Sequence, residues 1–374
     1  MTGSVIKRKN GYLIRISLGR DDKGKRLYYT ETVNDTKKEA DRRCRELVAQ
    51  FERGGVVSHS KVSLNAYLAE WLEVAKKPKV SARTLESYAY DLERYVKNGL
   101  GRMPLSKVQI THVQKLYQEL NERGLAGTTV RRLHSILNQA FKQAVRWRKL
   151  TYNPAAHAEL PSVKRTKTVR AMNREEANRF LTAALQTPQG TLFEVALFSG
   201  MRPGEYFGLT WDCVDWDSCA VRVEKAVCRP KGQKPYLGPT KTPESRRTIP
   251  LPLPTMQKLR AHRAHQMQEQ MIERHRWVDR NLVFPNTVGG FWNERNLAQR
   301  YFKPLLDQTG LPRSFRLYDL RHTCATLLLL ADENVKVVSE RLGHANIKLT
   351  LDTYQHVLPS MQKRATEKLA QMFS

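Results

Sequence analysis

The sequence predicts a multidomain protein. It has a small α+β unit (a three-stranded sheet plus a helix) at residues 1–55, an all-α bundle at 61–160, and a mainly α domain with a small antiparallel β-sheet from 168 to the end. Three observations carry this. The 374 residues exceed one ordinary domain. Apolar residues alternate every second position at the start of the chain and recur every third or fourth position after residue 61. A short basic stretch, PSVKRTKTVR at 161–170, interrupts the apolar pattern and reads as an extended linker.

Each element follows from local chemistry. SVIKRKNGYLIRISLG and KRLYYTETV alternate apolar and polar residues across a turn at Asp21–Gly24, the pattern of half-buried strands. DTKKEADRRCRELVAQFERGG is helical, opening at Asp35 or Thr36 and stopping at Gly54-Gly55. Four helical patterns follow, VSLNAYLAEWLEVAKK, SARTLESYAYDLERYVKNGLG, THVQKLYQELNERG and TTVRRLHSILNQAFKQAVRWRKL. Ser81, Thr111 and Thr128 serve as expected N-caps, Gly99 and Gly124 as stops, and Asn153-Pro154 ends the last helix. NREEANRFL opens a new helical domain, whose middle turns to strands at CAVRVEKAV and SRRTIPL.

Lys and Arg total 64 against 36 Asp and Glu, a net charge of +28, which points to a polyanionic partner, and nucleic acid fits better than a membrane surface. The longest apolar run, LLLLA at 327–331, is too short to span a bilayer, and the start lacks an apolar signal core, so a cytoplasmic, DNA-associated protein is expected. Five scattered cysteines without a CxxC pair argue against a disulfide framework and a thiolate zinc site. No phosphate-loop pattern and no clustered carboxylates of the two-metal nuclease kind occur, so neither ATP nor a metal is called for. His262 and His265 lie one turn apart but lack a third ligand, and read as a solvated helix face. Trp292, Tyr301 and Phe302 read as core.

The chemistry concentrates late in the chain. In LFSGMRPGEYFGL an apolar helix ends at Gly200 and Pro203 suits the first turn of the next, placing Arg202 at a tight junction with Glu205 three residues on. An arginine aimed by a carboxylate offers a planar fork matched to two phosphate oxygens. PTKTPESRRTIPL puts Lys241 in a turn before a strand, on an expected β-hairpin. In RLYDLRHTCATLLLL, Tyr318 and Arg321 are three apart on one helical face. In SERLGHANIKLTLDTYQHV, His344 follows a helix-ending glycine, Thr350 is an expected cap, and Tyr354 follows ten residues after the histidine.

SGMRPGE, TKTPESRRTIPL, YDLRHTCATLLL and LGHANIKLTLDTY, in this order, resemble the tyrosine recombinase (phage integrase) family. The resemblance implies that Tyr354 attacks DNA to leave a 3′-phosphotyrosyl link, that Arg202 and Arg321 clamp the scissile phosphate, that Lys241 protonates the leaving 5′ oxygen, and that His344 bonds a non-bridging oxygen. It implies no cofactor and no metal. The 1–55 unit resembles the arm-type DNA-binding domain of integrases, the 61–160 bundle their helical core-site DNA-binding domain, and 168–374 their catalytic domain. Lys164, Arg165, Lys167 and Arg170 would lie along a phosphate backbone. Implied partners are double-stranded attachment sites, a homotetramer in synapsis, and accessory DNA-bending and excisionase proteins.

One position departs: where the family most often has histidine, three before the second arginine, this chain has Tyr318, a poor base near neutrality. The adjacent His322 is not expected to replace it, because one helical step turns a side chain about a hundred degrees away. Two guanidiniums nearby are expected to favour the Tyr354 phenolate. Two other readings stay open: a type IB topoisomerase-like enzyme that relaxes DNA without site choice, and a DNA-binding regulator that does not use catalysis.

Overall fold

The computed structural model describes residues 3–8, 10–20, 26–52, 62–162, 169–230, 232–240, 242–354, 366–367 and 369–373. The chain divides into two compact units, Met1–Arg165 and Thr166–Ser374. The expected turn at Asp21–Gly24, the stop at Gly54-Gly55, and Lys164, Arg165, Lys167 and Lys241 lie wholly or largely outside the described residues.

In the first unit, β1 (Gly3–Arg8), β2 (Gly11–Arg20) and β3 (Arg26–Val33) form an antiparallel sheet in the order β1-β2-β3. α1 (Lys37–Glu52) begins where Thr36 Oγ1 accepts the Glu39 amide, as its sequence suggests. Alternation puts Ile14 and Ile16 on the inner face of β2, fully buried with Leu47 and Cys44 of α1. The bundle comprises α2 (Leu64–Glu70), which runs on through a π-helical turn at Trp71–Lys76, α3 (Ala82–Tyr95), α4 (Ile110–Glu122) and α5 (Gly127–Arg146). Ser81 caps α3 by accepting the Thr84 amide. Thr111 and Thr128 are not caps: α4 starts one residue earlier, where Gln109 and His112 form a reciprocal box, and α5 starts after Ala126. Gly124 adopts φ +77 just past α4, whereas α3 ends at Tyr95, before Gly99. α5 likewise ends well before Pro154, at Arg146 with Trp147 as its cap, followed by Arg148 at φ 56.

The second unit starts with α6 (Arg174–Ala184), closed by a box in which Asn173 accepts the Glu176 amide and Glu176 accepts the Asn173 amide. α7 (Gly190–Ser199) is buried on nearly every face, so it has no polar side and forms the centre of the domain. Its Phe193 packs with Phe180 and Phe302, 5.5 to 5.9 Å between ring centroids, with Phe180 edge-on to both other rings. α8 (Pro203–Tyr206) follows at once. Next come β4 (Val214–Asp215), β5 (Ala220–Val223), β6 (Lys225–Cys228), β7 (Tyr236–Pro239) and β8 (Arg247–Pro250). The expected single strand CAVRVEKAV breaks at Glu224 into β5 and β6, which belong to different sheets, β4-β5-β8 and β6-β7. β7 pairs with β6 and β8 with β5, so the stretch around Lys241 crosses between two sheets and is not a β-hairpin.

α9 (Leu253–Ile272), α10 (Glu294–Leu297) and α11 (Lys303–Gln308) complete the outer layer. His262 is not on a solvated face: its Nε2 lies 2.7 Å from the Val283 carbonyl, and burial lowers its pKa. Trp292 and Phe302 are buried and Tyr301 packs against them, as read from the sequence. α12 (Asp319–Leu330), α13 (Val335–Leu342) and α14 (Ile347–Tyr354) end the described fold apart from short pieces near the C-terminus. No helix among the described residues is long and apolar enough to cross a membrane. Phe193→Ala should lower stability by about 3–5 kcal/mol, because a buried aromatic leaves a cavity the surrounding rings cannot close; thermal unfolding of the full chain measures it.

Candidate active site

Five separated segments converge on one small region of the second unit. The first is the α7–α8 junction. Gly200 ends α7 with φ +64, a conformation that favours glycine, and a Cβ there would sit 2.9 Å from Leu342. The tight turn presents the Gly200 carbonyl to Arg321 Nη1 at 2.8 Å. It also makes Arg202 the residue immediately before α8. Glu205 closes that helix start by accepting the Arg202 amide at 3.0 Å and its Nη1 at 2.6 Å.

The second segment is β8 with the residues before it. Arg247 Nη2 donates to the second oxygen of Glu205 at 3.0 Å, so a single carboxylate, 3% exposed, holds two guanidiniums. Arg247 also donates to the carbonyls of Arg341 and Ser245. Nothing in the spacing of SRRTIPL singles out Arg247. Alternation along β8 distinguishes the two arginines there only once the buried face is known: Arg246 is exposed and Arg247 points inward. Beside it, Ser245 Oγ accepts from Arg202 Nη1 at 3.3 Å and lies 3.2 Å from Thr242 Oγ1. This ties one flank of the Lys241 position to Arg202.

The third segment is α12. Arg321 is 1% exposed; its Nη2 is buried and has no hydrogen-bond partner among the described residues. A buried donor left unpaired is costly, and an anionic oxygen is the group that would satisfy it. Burial first, then the neighbouring Arg202, lowers the Arg321 pKa to about 10, still protonated at neutral pH. Tyr318 is the residue before α12, and its ring lies edge-on to His322 at 5.1 Å.

The fourth and fifth segments are the α13–α14 turn and α14 itself. Gly343 ends α13 at φ +64, and its carbonyl accepts from Arg202 Nη2 at 3.2 Å. A Cβ there would meet the Arg247 side chain at 3.0 Å. His344 follows with Nδ1 2.7 Å from Thr350 Oγ1. Thr350 is thus not a helix cap; it is fully buried inside α14 and orients the imidazole. Burial, reinforced by Arg321, Arg202 and Arg247, lowers the His344 pKa to about 4, so the ring is neutral near pH 7.

Tyr354 ends α14 at 1% exposure, packed with Ala325, Leu329, Val338 and Leu342. Its hydroxyl lies 2.9 Å from His322 Nδ1. This reverses the expectation about His322. The helical step does turn it away from Arg321, but α14 packs on the face of α12 that carries residues 322, 325 and 329, and that is where the tyrosine sits. Arg321 does pull the Tyr354 pKa down, the direction expected of a nearby guanidinium, but burial outweighs it and the pKa lies above the ordinary value. Of the linker residues, Arg170 is exposed with its guanidinium 5.5 Å from the Phe315 ring centroid.

Two consequences are measurable. Burial alone would raise the Glu205 pKa, but Arg247 and Arg202 hold it below the ordinary value of 4.5. Glu205→Ala should therefore destabilise the fold by about 3–5 kcal/mol at neutral pH by leaving two partly buried guanidiniums unpaired. In thermal unfolding, the difference from wild type should narrow as pH falls below the ordinary value and the wild-type carboxylate is protonated. His344 has the opposite chemistry and the same acid sensitivity. Its folded pKa lies below the unfolded one, so its contribution is fully present above pH 6.5 and is lost as pH falls from 6.5 towards about 4. His344→Asn should flatten that part of the stability–pH curve.

Residues 170–361 match the model of the phage integrase family, just over half the chain, and residues 64–160 match that of the phage integrase central domain. A tyrosine recombinase XerC-like protein of Caldanaerobacter subterraneus subsp. tengcongensis is 29% identical over 100% of this chain and 99% of its own. The ICEBs1 integrase of Bacillus subtilis is 25% identical over 98% and 99%. Among solved structures, the Tn1549 transposon integrase in complex with a circular intermediate DNA superimposes with a TM-score of 0.68 at 19% identity, covering 81% of this chain and 99% of that one. A lambda integrase tetramer bound to a Holliday junction gives 0.56 at 18% identity, with 93% of each covered. The resemblance read from four short motifs thus extends over the whole polypeptide, and the chain belongs to the phage integrase family of site-specific tyrosine recombinases.

Proposed function

We propose that this recombinase integrates and excises a mobile element by attacking DNA with Tyr354 and passing through a 3′-phosphotyrosyl intermediate. The observation that carries the proposal is the buried Nη2 of Arg321, without a partner among the described residues, in a cluster of three guanidiniums of which two share one carboxylate. Such a cluster has surplus positive charge and an unsatisfied donor, which suits a phosphate in transfer. Arg202 and Arg321 clamp the scissile phosphate. The neutral His344, steadied by Thr350, donates from its other ring nitrogen to a non-bridging oxygen. Lys241 protonates the leaving 5′ oxygen. Tyr318 occupies the family's usual histidine place and supports the ring of His322.

The covalent step needs neither ATP nor a metal. A tyrosyl ester replaces a sugar ester and is later exchanged back, so the bond energy is kept, and guanidiniums supply the charge that a metal would otherwise supply. Residues 1–55 act as an arm-type DNA-binding domain, 61–160 grip the core site, 161–170 link them to the catalytic domain at 168–374, and Lys164, Arg165, Lys167 and Arg170 lie along the backbone. Four protomers act on paired attachment sites in the cytoplasm of the host, with DNA-bending and excisionase proteins as accessories. The net charge of +28 supports salt-sensitive binding throughout.

The test is a plasmid carrying the DNA that flanks the gene, incubated in EDTA without ATP and quenched with detergent. Wild type should stay covalently attached at a 3′ phosphate, and Tyr354→Phe should give no adduct. An equal adduct from the Phe variant would remove Tyr354 as nucleophile. Equal relaxation of a plasmid lacking that DNA would favour topoisomerase action, and tight binding with no adduct from wild type would favour a regulator.

A further inference from the structure

We propose that His322 is the catalytic base, taking the phenolic proton of Tyr354 as the tyrosine attacks. The inference rests on the reading of Tyr354 as nucleophile. Among the described residues, the hydroxyl of Tyr354 has one hydrogen-bond partner, His322 Nδ1 at 2.9 Å, within the range for direct proton transfer. The phenol is 1% exposed, so bulk water does not reach it in this arrangement.

The other groups nearby are occupied or unsuited. Glu205 is held by Arg202 and Arg247, and Asp319 by Arg316. His344 is a weak base here, its pKa lowered to about 4 by burial and three arginines, and its Nδ1 is committed to Thr350. Tyr318 carries a phenol, which accepts protons poorly near neutrality. Its ring instead lies against His322, which is flanked edge-on by Tyr318 at 5.1 Å and Tyr354 at 5.8 Å. On this reading a histidine three residues before Arg321 is not needed, because the imidazole beside the Tyr354 hydroxyl is that of residue 322.

The step balances without an added reactant. The phenolic O–H breaks as Oη bonds to phosphorus, and the proton passes to Nδ1, which must be the bare nitrogen of the Nε2–H tautomer. The bond from phosphorus to the 5′ oxygen breaks, and that oxygen takes the Lys241 proton. On rejoining, the 5′ hydroxyl attacks phosphorus and gives its proton back to the neutral Lys241 amine, the bond from phosphorus to Oη breaks, and the imidazolium returns its proton to the departing phenolate.

The test uses single-turnover adduct formation by the full chain on a duplex carrying the break mapped with wild type. His322→Asn keeps an acceptor near Nδ1 but has no useful proton affinity; His322→Ala removes both. Each should bind the duplex like wild type yet form adduct on the order of a hundredfold more slowly at neutral pH. Among the described residues, the titratable and charged groups about the pair are Tyr318, Cys324, His344 and Arg321. In both variants the deficit should shrink by roughly tenfold per pH unit as hydroxide forms the phenolate directly. Replacing the bridging 5′ oxygen by sulfur, a leaving group that needs no acid, should restore Lys241→Ala but neither His322 variant. An Asn variant within about twofold of wild type would reduce His322 to a positioning residue and overturn the proposal, as would rescue of the His322 variants by sulfur. Adduct formation by Tyr354→Phe would instead overturn the underlying assignment of the nucleophile.

Discussion

The candidate site depends on one buried carboxylate. Glu205 reaches back to the backbone amide of Arg202, forward to its guanidinium, and across to Arg247. Arg247 in turn bonds the carbonyls of Ser245 and Arg341, and Arg202 bonds that of Gly343. The α7–α8 junction, the approach to β8 and the α13–α14 turn are thereby joined through a single anion. Buried charges are tolerated only when paired and hydrogen-bonded, so the position of each of these segments is constrained by the others. Two left-handed glycines, Gly200 and Gly343, let the backbone come close enough for its carbonyls to serve as acceptors.

One carboxylate does not neutralise three arginines, and the remaining charge shapes everything beside it. Burial and this charge together keep His344 neutral, which leaves that ring a donor of one hydrogen bond and not a competing cation. The same charge pulls on the Tyr354 phenol without overcoming the cost of burial, so the resting phenol is protonated. The same apolar packing that buries Tyr354, against Ala325, Leu329, Val338 and Leu342, sets its distance from His322.

Much of this was legible from local pattern. Helical periodicity found the bundle and α6, Asn173 and Ser81 announced their helix starts, and alternation found the first sheet with its buried Ile14 and Ile16. The Arg202–Glu205 pair could be read because both members lie within one helical turn. Thr111, Thr128 and Thr350 show where local reading stops. Each hydroxyl had the right chemistry for a cap, but where a helix starts depended on the packing of its whole face, and Thr350 was recruited by a histidine six residues away. The hairpin expected at Lys241 failed similarly, since β7 and β8 each found a different partner strand.

The sequence by itself determined the charge, the order of the motifs, the identity of the nucleophile candidate and the arginines flanking it, because these depend on residue type and short spacing. Only the tertiary structure decided that Arg247 and not Arg246 turns inward, that Glu205 serves two arginines, and that Tyr354 meets His322. Those outcomes depend on which face of a strand or helix another segment covers. That choice is made by burial summed over residues far apart in the chain, and a helical step counted along α12 alone does not contain it.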